Sequence, residues 1–278
     1  MSTRLRARRW IVGIIAILVS IVVFLVPFAF VILQAAKTPA EASNLNFALP
    51  TKWVFFENLT AVLQTNDGIV ITAFINSVLL TVFSVAVMVV FAAMVGYVLQ
   101  RKRTRWNPVI NFFVLAGLIV PPAVVPTIWL LQGLGIFKTL FSGVVIEATF
   151  GLSFSILLFR AFVATIPREL DEAAVIDGAG PIRLFFQVVL PLLRPVIVTV
   201  IVVQAVAVFN DFQNPLYFLP GSDLATVQLT LYNFQSQTLS QFNLLFMDIL
   251  LITIPPLVLY IFFNRQIVAG MTSGAIKG

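Results

Sequence analysis

The chain of 278 residues contains no cysteine and no histidine. The first absence excludes disulfides and thiol chemistry, and the second excludes histidine proton relays. Together they remove the usual ligands of transition metals. Charged residues are also scarce, at 10% of the sequence, and the phosphate-binding pattern G-x-x-x-x-G-K-[ST] does not occur. We therefore expect neither a bound metal nor nucleotide hydrolysis in this chain, and we predict that it is not an enzyme by itself.

Hydrophobic residues make up 60% of the sequence, which excludes a soluble globular domain. A run of about 18 apolar residues is long enough to cross a bilayer as a helix, and such runs recur along the whole chain. We predict an all-α polytopic membrane protein in which 1–278 forms a single domain. Its six spans are expected at about 11–33, 69–99, 109–131, 143–163, 196–212 and 244–263.

The basic residues follow the connecting segments in a strongly biased way. Only Lys37, Lys52 and Lys138 fall in one set of connections, whereas the other 14 of the 17 basic residues fall in the opposite set. Positive charge accumulates in cytoplasmic loops, so both termini are predicted to be cytoplasmic. The placement of the basic residues that give the net charge of +6 therefore indicates the membrane topology and not a nucleic-acid-binding surface. A basic segment before an apolar run also begins a signal peptide, but the run at 11–33 exceeds the roughly 7–15 apolar residues of a cleaved signal, which favours an uncleaved anchor.

A polar loop with two glycines separates the fourth and fifth predicted spans, at about 165–191. Its acidic residues come first, where the dipole of a short helix ending near Ile176 favours negative charge. Gly178 and Gly180 then permit a sharp turn, and an apolar second helix is predicted from Pro181 to Leu190. One interpretation is a hairpin that only links two spans. The other is a docking surface, since an apolar helix at the membrane surface needs a partner to cover it.

This loop resembles the EAA loop of ABC-transporter permeases, which docks on the ATP-hydrolysing subunit. The matching positions are Glu-Ala-Ala, a glycine four residues after the second alanine, and a later Leu-Pro pair. By this resemblance the residues that couple the chain to the ATPase are Glu172, Ala173, Ala174, Gly178, Leu190 and Pro191.

Shorter motifs extend the resemblance to carbohydrate-uptake permeases, in particular the six-span subunit of maltose-type importers. They are Asn76-Ser77, Pro121-Pro122 with Pro126, Asn210-Asp211-Phe212, and the tail 269–278. The resemblance implies a type I importer permease in a bacterial inner or plasma membrane. Its implied partners are a related second permease, an ATPase dimer that binds ATP and Mg, and an extracytoplasmic sugar-binding protein. Two residues depart from the family pattern, Phe209 and Asp248.

Charged residues and prolines inside the spans are candidates for the pathway or for subunit contacts, because both are costly in a bilayer. For Asp248 a functional role and simple snorkelling to the membrane surface stay open. For Glu147 we favour snorkelling or a helix-end hydrogen bond, and for Asp211 we favour a helix-end or interhelix hydrogen bond over contact with a sugar. The prolines are expected to kink the third span, either to line the pathway or merely to pack. The candidates are Asp248, Pro121, Pro122, Pro126, Asn210 and Asp211.

Two classes of function fit a chain of this kind. The first is a permease subunit of an ATP-driven importer that moves a sugar, an oligosaccharide or a related polyol. The second is a secondary transporter or channel that works without ATP, which typically carries coupling-ion residues near the middle of broken helices. The sequence has no charged residue near the middle of a span and no clear pair of related halves, which favours the first class.

Overall fold

The structure, a computed structural model, describes residues 2–231 and 241–275, and it describes side chains for Trp10, for 12–231 and for 241–264. The end of the tail motif, 276–278, and part of the polar connection before the last span lie outside these ranges. Every regular element within them is a helix and no strand occurs there, which confirms the predicted all-α fold.

The chain begins with α1 (Ser2–Ser20), which continues through a π-helical turn (Ile21–Leu25) into α2 (Val26–Ala35). The short helices α3 (Pro39–Ala42) and α4 (Phe55–Gln64) follow. Asn66 and Asp67 have positive φ angles of 48° and 56°, so the chain turns there before α5 (Ile69–Arg101) begins.

The middle of the chain contains α6 (Asn107–Ile119), α7 (Val124–Gly133) and α8 (Leu140–Val163). Thr139 fixes the start of α8, because its side chain accepts a hydrogen bond from the backbone N–H of Ser142 at 3.1 Å. The remaining elements are α9 (Glu169–Ile176), α10 (Pro181–Arg183), a π-helical segment (Leu184–Val189), α11 (Leu190–Leu192), α12 (Arg194–Phe209), α13 (Gln213–Phe218) and α14 (Phe242–Ala275).

Among the described residues, four helical stretches are long and apolar enough to cross a membrane: Val12–Ala35, Phe55–Arg101, Leu140–Val163 and Phe242–Asn264. Two bent pairs pass the same criteria, α6 with α7 at an angle of 115° and 181–192 with α12 at 75°. Counting each bent pair as one span gives six, the number that the sequence predicts, although 181–192 belongs to the predicted loop and α12 alone to the predicted fifth span. The side chains of the first span are largely exposed and apolar, as a surface that faces lipid requires.

The chain divides into two compact units. One comprises the chain up to Ile71 with Thr230–Ile254, and the other comprises Thr72–Leu229 with the chain from Pro255. The largest core of the second unit joins the ends of α5 and α8 to the start of α12. At Gly96, a Cβ atom would lie 2.8 Å from the Cβ of Phe159 and 3.0 Å from the backbone nitrogen of Arg160, so only glycine lets α5 and α8 approach this closely.

Candidate functional site

The Glu-Ala-Ala loop (165–191) is a helix–turn–helix at one end of the second unit. Its first helix, α9, ends at Ile176 as predicted and has three acidic residues in its first turn. Gly178 has a φ angle of +79°, a conformation that side-chain-bearing residues rarely adopt. The turn is closed by a hydrogen bond of 2.9 Å from the backbone N–H of Ala179 to the carbonyl of Ala174. Gly178 therefore has a specific conformational role in this loop.

The second half of the loop packs largely into the chain's own core. Leu184, Phe185 and Val189 are buried, and they pack in one cluster with Tyr97 and Phe159. The sequence interpretation that the apolar second helix requires a partner is therefore wrong for these three residues. Their apolar character is explained by packing within the chain.

The loop nevertheless leaves a group of apolar side chains exposed on its surface. Ile176 is 85% exposed and Ile182 is 76% exposed. Val175 and Phe186 are also exposed, and with Ile182 they line a groove of about 410 Å³. Lys102 on the segment after α5 lines the same groove. Contiguous apolar surface outside a lipid-facing helix is typical of a site where another protein binds. We call these four residues, Val175, Ile176, Ile182 and Phe186, the apolar patch.

The residues that the sequence assigned to coupling belong to the same loop as this patch. Those that are exposed are Glu172, Ala173, Gly178 and Pro191, whereas Ala174 and Leu190 are half-buried against the core. The structure therefore brings the six residues into one compact loop, with four of them accessible from outside. Their role in coupling stays a prediction.

A charged contact that sequence reasoning missed holds the first helix of the loop. Asp171, in the first turn of α9, forms an ion pair with Arg101 at the end of α5, with 2.9 Å between Nε and Oδ2. The hydroxyl of Tyr97 donates a hydrogen bond of 3.3 Å to the same carboxylate oxygen. Arg101 also donates to the carbonyl of Ile166 at 2.8 Å. In the sequence, Arg101 is only one of the 14 basic residues whose distribution predicts the membrane topology.

The proline motif interrupts the third predicted span more strongly than a kink would. The helix α6 ends at Ile119, and α7 begins at Val124 in a direction that differs by 115°. Pro121 and Pro122 lie in the break, whereas Pro126 lies in the first turn of α7, where a missing N–H leaves no hydrogen bond unmade. The expectation of a kinked helix is thus corrected to a broken one, because the two consecutive prolines cannot continue the α6 hydrogen bonds.

Asn210 and Asp211 mark the end of α12 and the start of α13. Oδ1 of Asp211 accepts hydrogen bonds from the backbone N–H groups of Gln213 at 2.7 Å and Asn214 at 3.2 Å. This arrangement confirms the helix-end interpretation of Asp211. Glu147 lies two turns into α8, where it is buried and contacts the side chains of Asn214 and Asp211, so snorkelling is wrong for this residue. Its side chain thus contributes to the same polar cluster.

Asp248 lies within α14 and is fully buried. One carboxylate oxygen accepts a hydrogen bond of 2.8 Å from the hydroxyl of Thr230, and the other has no hydrogen-bond partner among the described residues. Snorkelling is therefore wrong for this residue, because a side chain that reaches the membrane surface would be exposed. Whether it contacts the pathway or another subunit stays a prediction.

The described residues contain no group of three or more carboxylates that could hold a metal ion. The site consists instead of a helical loop with an exposed apolar patch, placed beside the ends of membrane helices. This arrangement offers a surface for binding and has no set of reacting groups.

Comparisons with known proteins identify the family. Residues 88–273 match the family described as "binding-protein-dependent transport system inner membrane component". The melibiose/raffinose/stachyose import permease MelC of Bacillus subtilis is 28% identical over 98% of this chain and 99% of its own length. The diacetylchitobiose uptake permease NgcG of Streptomyces coelicolor is 30% identical over 92% of this chain and 85% of its own length.

A solved structure shares the fold. It is a bacterial ABC transporter involved in the import of the acidic polysaccharide alginate, and it is 21% identical with a TM-score of 0.78 over 94% of this chain and 97% of the other. The resemblance that the sequence motifs carry is therefore confirmed at the level of the family. The chain belongs to the binding-protein-dependent transport system inner membrane components, and it is a multi-pass permease of that family rather than an enzyme.

Proposed function

We propose that this chain is one of two permeases of an ATP-driven importer, and that the Glu-Ala-Ala loop docks on its ATPase subunit. The observation that carries the proposal is the apolar patch on a loop whose second half is packed into the chain's own core. Water-exposed apolar side chains on a well-supported loop are best explained by a protein groove that covers them. Glu172 is exposed beside the patch and is placed to pair with a basic group of the partner.

Energy would reach the pathway through this contact. We propose that closure of the ATPase dimer moves the docked loop, and that the spans then change from an inward-open to an outward-open arrangement. The sequence has no G-x-x-x-x-G-K-[ST] loop, so ATP and Mg would be bound by the ATPase and not by this chain.

The proposed substrate is a sugar, an oligosaccharide or a related polyol, delivered by an extracytoplasmic binding protein. Relatives that match nearly the whole chain are named for the import of melibiose, raffinose and stachyose and for the uptake of diacetylchitobiose. A transporter or channel that works without ATP is not favoured, since the family is defined by dependence on a binding protein.

The orientation follows from the distribution of basic residues. With 14 of 17 basic residues in one set of connections, we place both termini and the Glu-Ala-Ala loop in the cytoplasm. Single-domain organisation over 1–278 with six spans is proposed from the apolar runs that recur along the whole chain. The break at Pro121 and Pro122 is the proposed pathway wall, because irregular backbone at membrane depth is tolerated only against protein or a water-filled cavity. Asp248, Asn210 and Asp211 remain candidates for contacts to the pathway or to the second permease.

The test combines purification and transport. The chain is co-expressed with the second permease and the ATPase encoded beside it, and the reconstituted complex is assayed with its binding protein and a panel of sugars. Co-purification of the ATPase and ATP-dependent uptake of at least one sugar are expected. Uptake that continues without ATP would contradict the proposal.

The docking surface is tested by one substitution and one control. Burying a large aliphatic side chain contributes about 1.5–3 kcal/mol, so Ile176→Glu should weaken ATPase binding at least tenfold without changing membrane insertion. The control Asp177→Asn changes the neighbouring exposed residue and should retain the ATPase. Equal ATPase recovery with Ile176→Glu and with wild type would show that the patch does not dock the ATPase.

A further inference from the structure

Arg101 belongs to one part of the second unit and contacts two others. It belongs to the last turn of α5, its Nε forms the 2.9 Å ion pair with Asp171 of α9, and it donates to the carbonyl of Ile166 in the short connection between α8 and α9. The two side chains of the ion pair are only 9% and 15% exposed. The contact therefore joins a membrane helix to the first helix of the Glu-Ala-Ala loop across 70 positions of sequence.

Tyr97, which is also on α5, makes two further contacts with the loop. The hydroxyl of Tyr97, one turn before Arg101 on α5, donates to the same oxygen of Asp171 at 3.3 Å. The ring of Tyr97 packs against Phe185 in the second half of the loop, with 5.7 Å between the ring centroids. Thus α5 holds the loop by a charged contact in its first half and an aromatic contact in its second half.

Removing one member of a largely buried ion pair leaves the other charge without a partner, which is strongly unfavourable. The guanidinium group is also held by a backbone carbonyl, so neither side chain is free to follow one helix without the other. If α9 is displaced, either α5 moves with it or the ion pair between Arg101 and Asp171 breaks.

We propose that Arg101 and Asp171 are positioning residues that transmit movement of the Glu-Ala-Ala loop to α5. This inference rests on the proposed function, because it requires that a partner moves the loop. It goes beyond docking in that it assigns α5 as the span that follows the loop directly. Neither residue needs to contact the ATPase, ATP or the substrate for this role.

The experiment measures coupling in the reconstituted complex. Arg101→Gln, Asp171→Asn, the double variant and the charge-swapped variant Arg101→Asp with Asp171→Arg are compared for assembly, ATP hydrolysis and sugar transported per ATP hydrolysed. The control Arg103→Gln removes the same charge two residues away, at an exposed position. Wild-type uptake tests the proposed function in the same preparation, so the two proposals fail separately.

Coupling energies carried by residues between two sites are of order 0.5–2 kcal/mol, which corresponds to roughly 2- to 30-fold. Each single variant should lower the sugar transported per ATP within that range, and the double variant should be no worse than either one, because the pair acts as a unit. The control should match wild type. Single variants that assemble and transport with wild-type coupling would overturn the proposal.

A purely structural role would lower assembly and leave coupling in the assembled complexes unchanged, and that result would also overturn the proposal. If the single variants do not assemble, the charge-swapped variant decides. Restored assembly with restored coupling supports the link, whereas failure to restore either one contradicts it.

Discussion

The segment from 34 to 58 and the Glu-Ala-Ala loop both expose apolar side chains, such as Leu49 at 73% in the first, but only the first also buries charged and amide side chains. In the first, charged and amide side chains are buried, and apart from Oε1 of Gln34 they are hydrogen-bonded within the chain. Lys37 is 1% exposed, and its ammonium group donates to the backbone oxygen of Asn46 at 2.7 Å and to its side-chain oxygen at 3.0 Å. In the second, Ile176 and Ile182 project into solvent.

The amide of Asn58 is the centre of the first region. Its Nδ2 donates to the carbonyls of Ala35 at 2.8 Å and Lys37 at 2.9 Å, and its Oδ1 accepts from Asn243 at 2.7 Å. Burying a polar group costs free energy unless the group is hydrogen-bonded. The hydrogen bonds from Asn58 therefore fix the backbone at Ala35 and Lys37 from within the chain. The comparison shows that buried hydrogen bonds within the chain hold the 34–58 segment, which we call the self-contained region, whereas no polar side chain of the Glu-Ala-Ala loop is fully buried.

The largest effect is expected where the self-contained region loses its central amide. Asn58→Leu keeps a similar volume but removes three hydrogen bonds, so the free energy of unfolding should fall by about 2–4 kcal/mol. Thermal melting of the purified complex measures the loss. The control Asn44→Leu makes the same change at an exposed residue whose amide has only a 3.5 Å contact to Ala40, and it should melt as wild type does. Equal melting of both variants would remove the distinction between the two regions.

An intermediate effect is expected at the turn of the Glu-Ala-Ala loop. Gly178 has positive φ with no heavy atom within 4 Å of an added Cβ, so Gly178→Ala tests backbone conformation alone. A positive φ costs a residue with a Cβ about 1–2 kcal/mol, and we expect the exposed turn to avoid this cost by relaxing to another conformation. Docking must then restore the native turn, so ATPase binding should weaken about tenfold while melting stays nearly unchanged. Gly180→Ala is the control, since Gly180 has a φ angle of −68° and equally open surroundings. Equal ATPase affinity of the two variants would contradict the role of Gly178.

The sequence was sufficient to predict the helical fold, the position of α9 and the turn at Gly178. These features depend on local properties, namely apolar runs, acidic residues in a first turn and glycine. The sequence could not separate Phe185, which is buried, from Phe186, which is exposed, because both are equally apolar and only packing against Tyr97 distinguishes them. The ion pair between Arg101 and Asp171 could not be predicted for a related reason. The two residues are distant in sequence, and the local sequence already explained why each is charged.

The burial of Asp248 could not be predicted from the sequence for the same reason. A carboxylate near the end of an apolar run is compatible with an exposed or a buried side chain, and the choice depends on a neighbour that periodicity does not reveal. The hydroxyl of Thr230 is that neighbour. Likewise, the sequence showed that prolines interrupt the third span, but the bend of 115° depends on how α6 and α7 pack.

The smallest effect is expected at Glu41, an accessible carboxylate of the self-contained region. Hydrogen bonds from the side chain and backbone of Thr51, with further ones from Thr38, lower the pKa of Glu41 from 4.5 to about 2. Because the folded pKa lies below the unfolded one, the stabilisation is fully present above pH 4.5 and is lost as the pH falls towards 2. The melting temperature of wild type should therefore exceed that of Glu41→Gln by a small, constant margin above pH 4.5 and converge with it between pH 4.5 and 2.

Glu57→Gln, at an exposed residue of α4, controls for the loss of a carboxylate. A margin for Glu41→Gln that stays constant across this window would show that the hydrogen bonds from Thr51 do not stabilise the segment.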